Sequence, residues 1–172
     1  MQRIDFKSDE EWFFYNWLLE AEKKNLIYGI IYQPKTFLLS NRAVCQYEKK
    51  LKTKTKLVEK FLFAKHSYTP DFCFRVRGPL KNSFIHTKFL EHDEAIVDVK
   101  GIFNKYGDPK QFSINQKWMY AKYGLYVEKI VPEKLFKKTW CPDICRYTPK
   151  KRQPVKKYIN IPNVDQFLQG EL

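Results

Sequence analysis

The chain has 172 residues, 44% hydrophobic and 17% aromatic, which is enough apolar side chain for one filled core and too little length for two comfortable ones. Lys and Arg outnumber Asp and Glu by 32 to 19, and a net charge of +13 draws a protein toward polyanions or anionic surfaces while saying nothing about fold. No apolar run approaches the ~18 residues of a membrane-spanning helix, and the charged start Met1-Gln2-Arg3-Ile4-Asp5-Phe6-Lys7 does not read as a secretory signal, so a soluble, cytoplasmic protein with no membrane partner is expected.

Ser8 is a good N-cap, and Phe13, Phe14, Trp17, Leu18 and Ala21 recur at helical spacing, predicting a helix over 8–24 with Glu10, Glu11, Glu20 and Glu22 on its charged face. Ser8-x-x-Glu11 also has the form of a capping box, in which the glutamate bonds back to the N-cap amide. Residues 28–33 read as a strand stopped by Pro34, and 36–39 as a second extended piece.

The stretch 46–65 is a basic insertion, with seven lysines at 49, 50, 52, 54, 56, 60 and 65 against two glutamates. Lys52, Lys54 and Lys56 alternate with Thr53 and Thr55, so extended backbone would put all three on one side. A solvated edge strand protected by charge is one reading; a segment that tracks phosphates is the expected one.

A strand over 69–76 precedes the turn signal Gly78-Pro79 and a polar insertion through Asp93, which holds an apolar patch at Phe84-Ile85 and Phe89-Leu90. The next strand, 95–99, ends at Lys100-Gly101. A helix is predicted over about 110–122, packing through Phe112, Ile114, Trp118 and Met119, and Gly124 opens a last strand over 125–131. Leu135-Phe136 suggests a short helix. Residues 146–157 are basic, Pro-interrupted and free of acids, the composition of a loose tail or of an arm on a nucleic-acid backbone. Cysteines at 45, 73, 141 and 145 do not make a disulfide framework in such a chain; free thiols are expected, and only Cys141 and Cys145 are spaced for a shared zinc.

The chemistry concentrates in Pro70-Asp71 and Asp98-Val99-Lys100. Cutting a phosphodiester needs an activated water, a charge clamp on the phosphoryl oxygens and help for the departing oxyanion, all of which a Mg²⁺ or Mn²⁺ held by hard oxygen ligands supplies. Asp71 and Asp98 are the expected metal ligands, with the carbonyl of Val99 as a further one. Lys100 stands two residues beyond Asp98, so a strand places both side chains on one face and an ammonium beside the attacking water.

These residues resemble the PD-(D/E)xK nuclease superfamily, with Pro70-Asp71 as its first motif and Asp98-Val99-Lys100, 27 residues on, as its second. Ser8-x-x-Glu11, Tyr32-Gln33-Pro34, Tyr68-Thr69-Pro70-Asp71-Phe72, and Asp98-Val99-Lys100-Gly101 followed by a helix containing Lys117 are together similar to small phage-encoded nucleases of that superfamily, over about residues 8–131. The resemblance implies an α/β fold with a restriction-endonuclease-like core, a central mixed β-sheet flanked by helices in the order α-β-β-β-α-β. It also implies an acidic residue from the first helix, for which Glu11 is the choice and Glu10 and Glu20 are rivals. Gln116-x-x-x-Tyr120 is similar to a helical motif of the exonuclease branch, in which the glutamine assists the site, and Lys117 would contact phosphate.

The expectation is therefore a nuclease domain over 1–145 and a basic tail over 146–172, with Lys52, Lys54, Lys56, Lys117, Lys150, Lys151 and Arg152 binding nucleic acid. The implied activity is metal-dependent endonucleolytic cleavage of DNA in phage-type recombination, Holliday-junction resolution or transposition-like processing, with a homodimer as a natural assembly. A non-catalytic nucleic-acid-binding protein that keeps the fold is the alternative, and a structural component of a phage particle a further one.

Overall fold

A computed structural model of the chain describes residues 1–90, 93–101, 109–148 and 151–170. It is a mixed α/β protein in which helix α1 (Asp9–Lys23) packs on one face of a four-stranded sheet built from β1 (Ile27–Tyr32), β6 (Phe72–Val76), β7 (Glu94–Val99) and β8 (Glu128–Ile130), in that spatial order. Between β1 and β6 the chain makes β2 (Phe37–Ser40), β3 (Ala43–Lys50), β4 (Thr55–Phe63) and β5 (His66–Tyr68), and the helices that follow are α2 (Ile85–Phe89), α3 (Pro109–Tyr123), α4 (Pro132–Lys138) and α5 (Val164–Gly170). The elements of the main sheet and its two long helices run α1-β1-β6-β7-α3-β8, the expected order, with β2 to β5 inserted in the middle. Among the described residues no helix is long and apolar enough to cross a membrane.

Helix α1 is delimited at both ends by local chemistry. The Ser8 hydroxyl accepts from the Glu11 amide at 3.2 Å, and Asp9, Glu10 and Glu11 place negative charge at the positive end of the helix dipole. At the other end Asn25 takes a left-handed φ of 56°, which lets the Leu26 amide reach the Ala21 carbonyl and the Asn25 amide the Glu22 carbonyl, both at 2.9 Å. This pair of bonds is a Schellman stop.

Strands β6 and β7 are apolar on both faces, as strands covered on both sides must be. Phe72, Phe74, Val76, Ala95, Val97 and Val99 meet α1 through Phe14, Trp17 and Leu18, whereas Cys73 and Ile96 join Met119 of α3 with Phe37, Leu39 and Val127. The two-residue period of a strand makes this division, and it also decides which way Asp98 faces: with Ile96, toward α3. β1 and β6 pair antiparallel, as do β6 and β7, but β7 and β8 run parallel, so the start of β6 and the end of β7 share one end of the sheet.

Two expected features are corrected. Lys52 and Lys54 lie in the turn between β3 and β4, with only Lys56 on a strand; the charged insertion forms a long antiparallel ribbon whose two strands were not foreseen. The segment from 146 onward is not a loose tail, because Tyr158 and Val164 enter the main core, Phe167 lies 5.3 Å from Trp140, and Arg146 donates to the Ile161 carbonyl at 2.6 Å. Its aromatic and aliphatic side chains have a hydrophobic surface to cover, and that outweighs the basic composition. All four cysteines are free thiols, and burial pushes Cys73, Cys141 and Cys145 well above the usual thiol range.

Candidate active site

Asp71 is held by backbone on three sides. Its amide donates to the Val97 carbonyl at 3.0 Å, its carbonyl accepts from the Gln33 amide at 2.8 Å, and its carboxylate Oδ2 accepts from the Val99 amide at 2.7 Å. Gln33 reaches its position by taking a left-handed φ of 49° as the chain leaves β1 ahead of Pro34. The residue just before β6 is thereby fixed to the end of β7. Asp98 is 3% exposed on β7, and Lys100, whose own amide is tied to the Ile130 carbonyl at 2.8 Å, sets its ammonium 2.7 Å from Asp98 Oδ2 and 6.0 Å from the centre of the Phe112 ring. The strand-periodicity expectation that Asp98 and Lys100 share a face describes this pair.

These groups line a cavity of about 390 Å³ with Glu11, Lys7, Tyr68, Thr69, Gln111, Phe112 and Asn115. Glu11 reaches it from the first turn of α1. Ser8 caps the helix, and the Glu11 carboxylate accepts from the Ser8 hydroxyl and the Lys7 amide, both at 3.3 Å, rather than from the Ser8 amide; it also accepts from the Tyr32 hydroxyl at 2.8 Å, with Gln33 Nε2 donating to that hydroxyl at 3.2 Å. The rivals lie elsewhere. Glu10 turns against Gly101, where an added Cβ would stand 3.0 Å from Glu10 Oε1, and Glu20 accepts from Trp140 Nε1 and the Asp143 amide.

The electrostatics are those of acids crowded together away from water. Burial first, then the hydrogen bond and charge of Asp98, push Asp71 from the usual 3.8 up to about 8; Glu11 adds to the rise and the Val99 amide opposes it. The Tyr68 hydroxyl is buried beside the same pair, and desolvation followed by the charges of Asp98 and Asp71 drives its ionisation far above the ordinary phenol range. It leans toward Asp98 without an ordinary hydrogen bond to any described residue. Tyr32 is pushed up to about 12 by burial and by its bond to Glu11.

Hard carboxylate oxygens from Asp71 and Asp98, with Glu11 beside them, are a donor set suited to a small divalent cation. Among the described residues, no three His, Cys, Asp or Glu side chains already form a metal cage. Val99 meets the site through its amide. Gln116 is turned away and donates to the Val127 carbonyl at 2.7 Å, while its neighbour Asn115 lines the cavity and bonds His66 at 2.8 Å. Lys117 and Lys151 are exposed and Arg152 lies near Tyr147, none of them lining this cavity; Lys150 is outside the described residues.

Sequence reasoning named Tyr32 and Tyr68 without giving them roles and passed over Asn115. Asn115 was within reach: Phe112, Asn115 and Met119 have helical spacing, but the apolar Ile114 and Trp118 pulled the predicted face aside. Both of those are exposed, because a one-residue slip turns a helix face by about 100°. Compared with protein-family models, with curated proteins and with solved structures, the chain matches none.

Proposed function

We propose that this protein is a divalent-metal-dependent DNA endonuclease of the PD-(D/E)xK kind, its sheet and helices forming a restriction-endonuclease-like core. One observation carries the reading: Asp71 and Asp98, both buried, line one open cavity so closely that Asp71 resists ionisation, and a lysine stands 2.7 Å from Asp98. Crowded acids repel each other, and they repel a phosphate unless a cation lies between. A purely binding surface gains nothing from that arrangement.

Asp71 and Asp98 would hold Mg²⁺ or Mn²⁺, with Glu11 and the Val99 carbonyl as further oxygen donors. The cation supplies Lewis-acid stabilisation of the phosphoryl oxygens and a water acidified for attack. The chain's own groups do the rest. Lys100 presents a proton donor and a positive charge at the mouth of the cavity, where it orients the attacking water and then balances the charge that develops on phosphorus-bound oxygen. Tyr32 fixes the Glu11 carboxylate, and the Phe112 ring, 6.0 Å from the Lys100 ammonium, gives the cavity an apolar wall on that side. The cavity lies at the carboxyl end of β7, where Asp98 and Lys100 line it beside Asp71 from just ahead of β6.

The test is cleavage of supercoiled plasmid, linear duplex, single strand and four-way junction by the full chain with Mg²⁺ or Mn²⁺ and with chelator. Metal-dependent cutting of at least one DNA is expected, most of all the branched substrate of recombination-type processing. Salt-sensitive binding without cutting of any of the four would overturn the reading in favour of a binding protein. Tyr32→Phe removes one hydrogen bond to a carboxylate and is expected to slow cutting about tenfold at limiting metal. An unchanged rate would show that Glu11 needs no such support.

A further inference from the structure

The β3–β4 ribbon packs chiefly on itself and is exposed on both sides. Its register pairs Val44 with Phe61, Cys45 with Lys60, Gln46 with Glu59, Tyr47 with Val58, Glu48 with Leu57, Lys49 with Lys56 and Lys50 with Thr55. Directly opposed residues share a face and successive pairs alternate. Gln46 Nε2 donates to Glu59 Oε1 at 3.1 Å, as that assignment requires. One face therefore takes both acids, Glu48 and Glu59, together with Lys50. The other takes Lys49, Lys56 and Lys60 around Tyr47 and Val58, with no acid at all.

This division has an energetic side. Lys49 and Lys56 stand directly opposite each other, an arrangement that destabilises a ladder. An isolated two-stranded ribbon has little stability to spend on repulsion. A polyanion laid on that face would turn the repulsion into attraction, whereas a second copy of the chain would bring three more lysines to it.

The root of the ribbon sits at the candidate site. β2 and β5 pair below it with Phe37 opposite Tyr68, and Tyr68 lines the carboxylate cavity. Helix α3 clamps the root, with Lys122 Nζ and the Tyr123 hydroxyl donating to the Leu38 carbonyl at 2.7 and 2.8 Å. Counted along the strands from Tyr68, Lys60 lies within about 26 Å and Lys56 within about 40 Å. The lysine face itself extends about 13 Å, a length over which duplex DNA carries roughly eight backbone charges.

We infer that the ribbon is an arm that lays its Lys49, Lys56 and Lys60 face along the phosphate backbone of the duplex whose scissile bond enters the cavity. This rests on the nuclease reading. The turn lysines Lys52 and Lys54 extend the same positive end beyond the strands.

The experiment is fluorescence anisotropy of labelled duplex DNA with the full chain in chelator, titrated at salt concentrations from about 50 to about 200 mM. The exposed triple variant Lys49→Gln/Lys56→Gln/Lys60→Gln is expected to flatten the plot of log affinity against log salt by about 2 to 3 and to weaken binding by tens of fold at the lower salt. Lys56→Gln alone should remove about one unit of slope, and Lys50→Gln, on the opposite face, much less. A triple variant with the wild-type slope overturns the arm, as does one whose effect is to dissociate a wild-type dimer in sedimentation. If the wild type binds and cuts duplex while the triple variant matches it, the arm alone falls; if the wild type binds no duplex, the arm falls as well, and the nuclease reading is then decided separately by metal-dependent cutting of the single-stranded and four-way-junction DNAs.

Discussion

Asp71→Asn is expected to abolish metal-dependent cutting and at the same time to raise the melting temperature of the metal-free protein. In the fold Asp71 titrates at about 8 and unfolded near 3.8, so between those values the folded state keeps a proton that the unfolded state has released. The stabilising effect of that retained proton is complete below about pH 4 and is lost as pH climbs through 8. Asn copies the protonated form at every pH: its oxygen can accept from the Val99 amide and its NH₂ can donate to Asp98. The two proteins should therefore melt together near pH 4 and diverge as pH rises, the variant gaining roughly 2 kcal/mol by pH 8, or about 4–8 °C. Scanning fluorimetry across that range decides the point, and equal melting at pH 8 would mean that the two carboxylates do not repel as described. The same titration predicts that metal uptake releases a proton below pH 8 and that cutting accelerates as pH rises toward that value.

Lys100→Met should separate catalysis from metal binding. Removing a positioned charge at the reacting group costs about 4 kcal/mol of transition-state stabilisation, a loss on the order of 10³ in rate. Metal affinity should hold or tighten, because the ammonium that competes for Asp98 is gone. Asp98→Ala, in contrast, should lose cutting and metal affinity together. Lys100→Met also leaves Asp98 buried without its partner, so the metal-free variant should melt lower than wild type and recover when Mg²⁺ is added. Calorimetric titration beside single-turnover cleavage distinguishes the two variants, and a Lys100→Met protein that cuts at the wild-type rate would remove the lysine from the mechanism.

Much of this site was legible because its parts obey short-range rules. Asp98 and Lys100 follow from strand periodicity and α1 from an N-cap and an apolar stripe, whereas Glu11 came from the resemblance, which implies an acid on the first helix. What escaped depends on tertiary context. The capping box predicts that Glu11 returns to its own helix end, and its carboxylate does accept there from the Ser8 hydroxyl and the Lys7 amide, both at 3.3 Å; the tyrosine from β1 that it also takes is what local sequence does not reveal. The ribbon escaped because lysine-rich strands without a buried face lack the alternation by which strands are found. Gln116 came from the resemblance of Gln116-x-x-x-Tyr120 to a helical motif, and the structure turns it to the Val127 carbonyl instead.

The ribbon interrupts the chain between two strands of the main sheet, yet its root is already closed by the pairing of Ser40 with His66. The entropy of closing a loop grows only with the logarithm of its length, about 0.6 kcal/mol for each doubling. Lengthening or shortening everything beyond that pairing would then change the cost of assembling the sheet by less than one hydrogen bond contributes. On the proposed reading, reach and chemistry are therefore independent: the span of DNA that the ribbon would cover can vary by residues added or lost at the tip while Tyr68, Asp71 and Asp98 stay where they are.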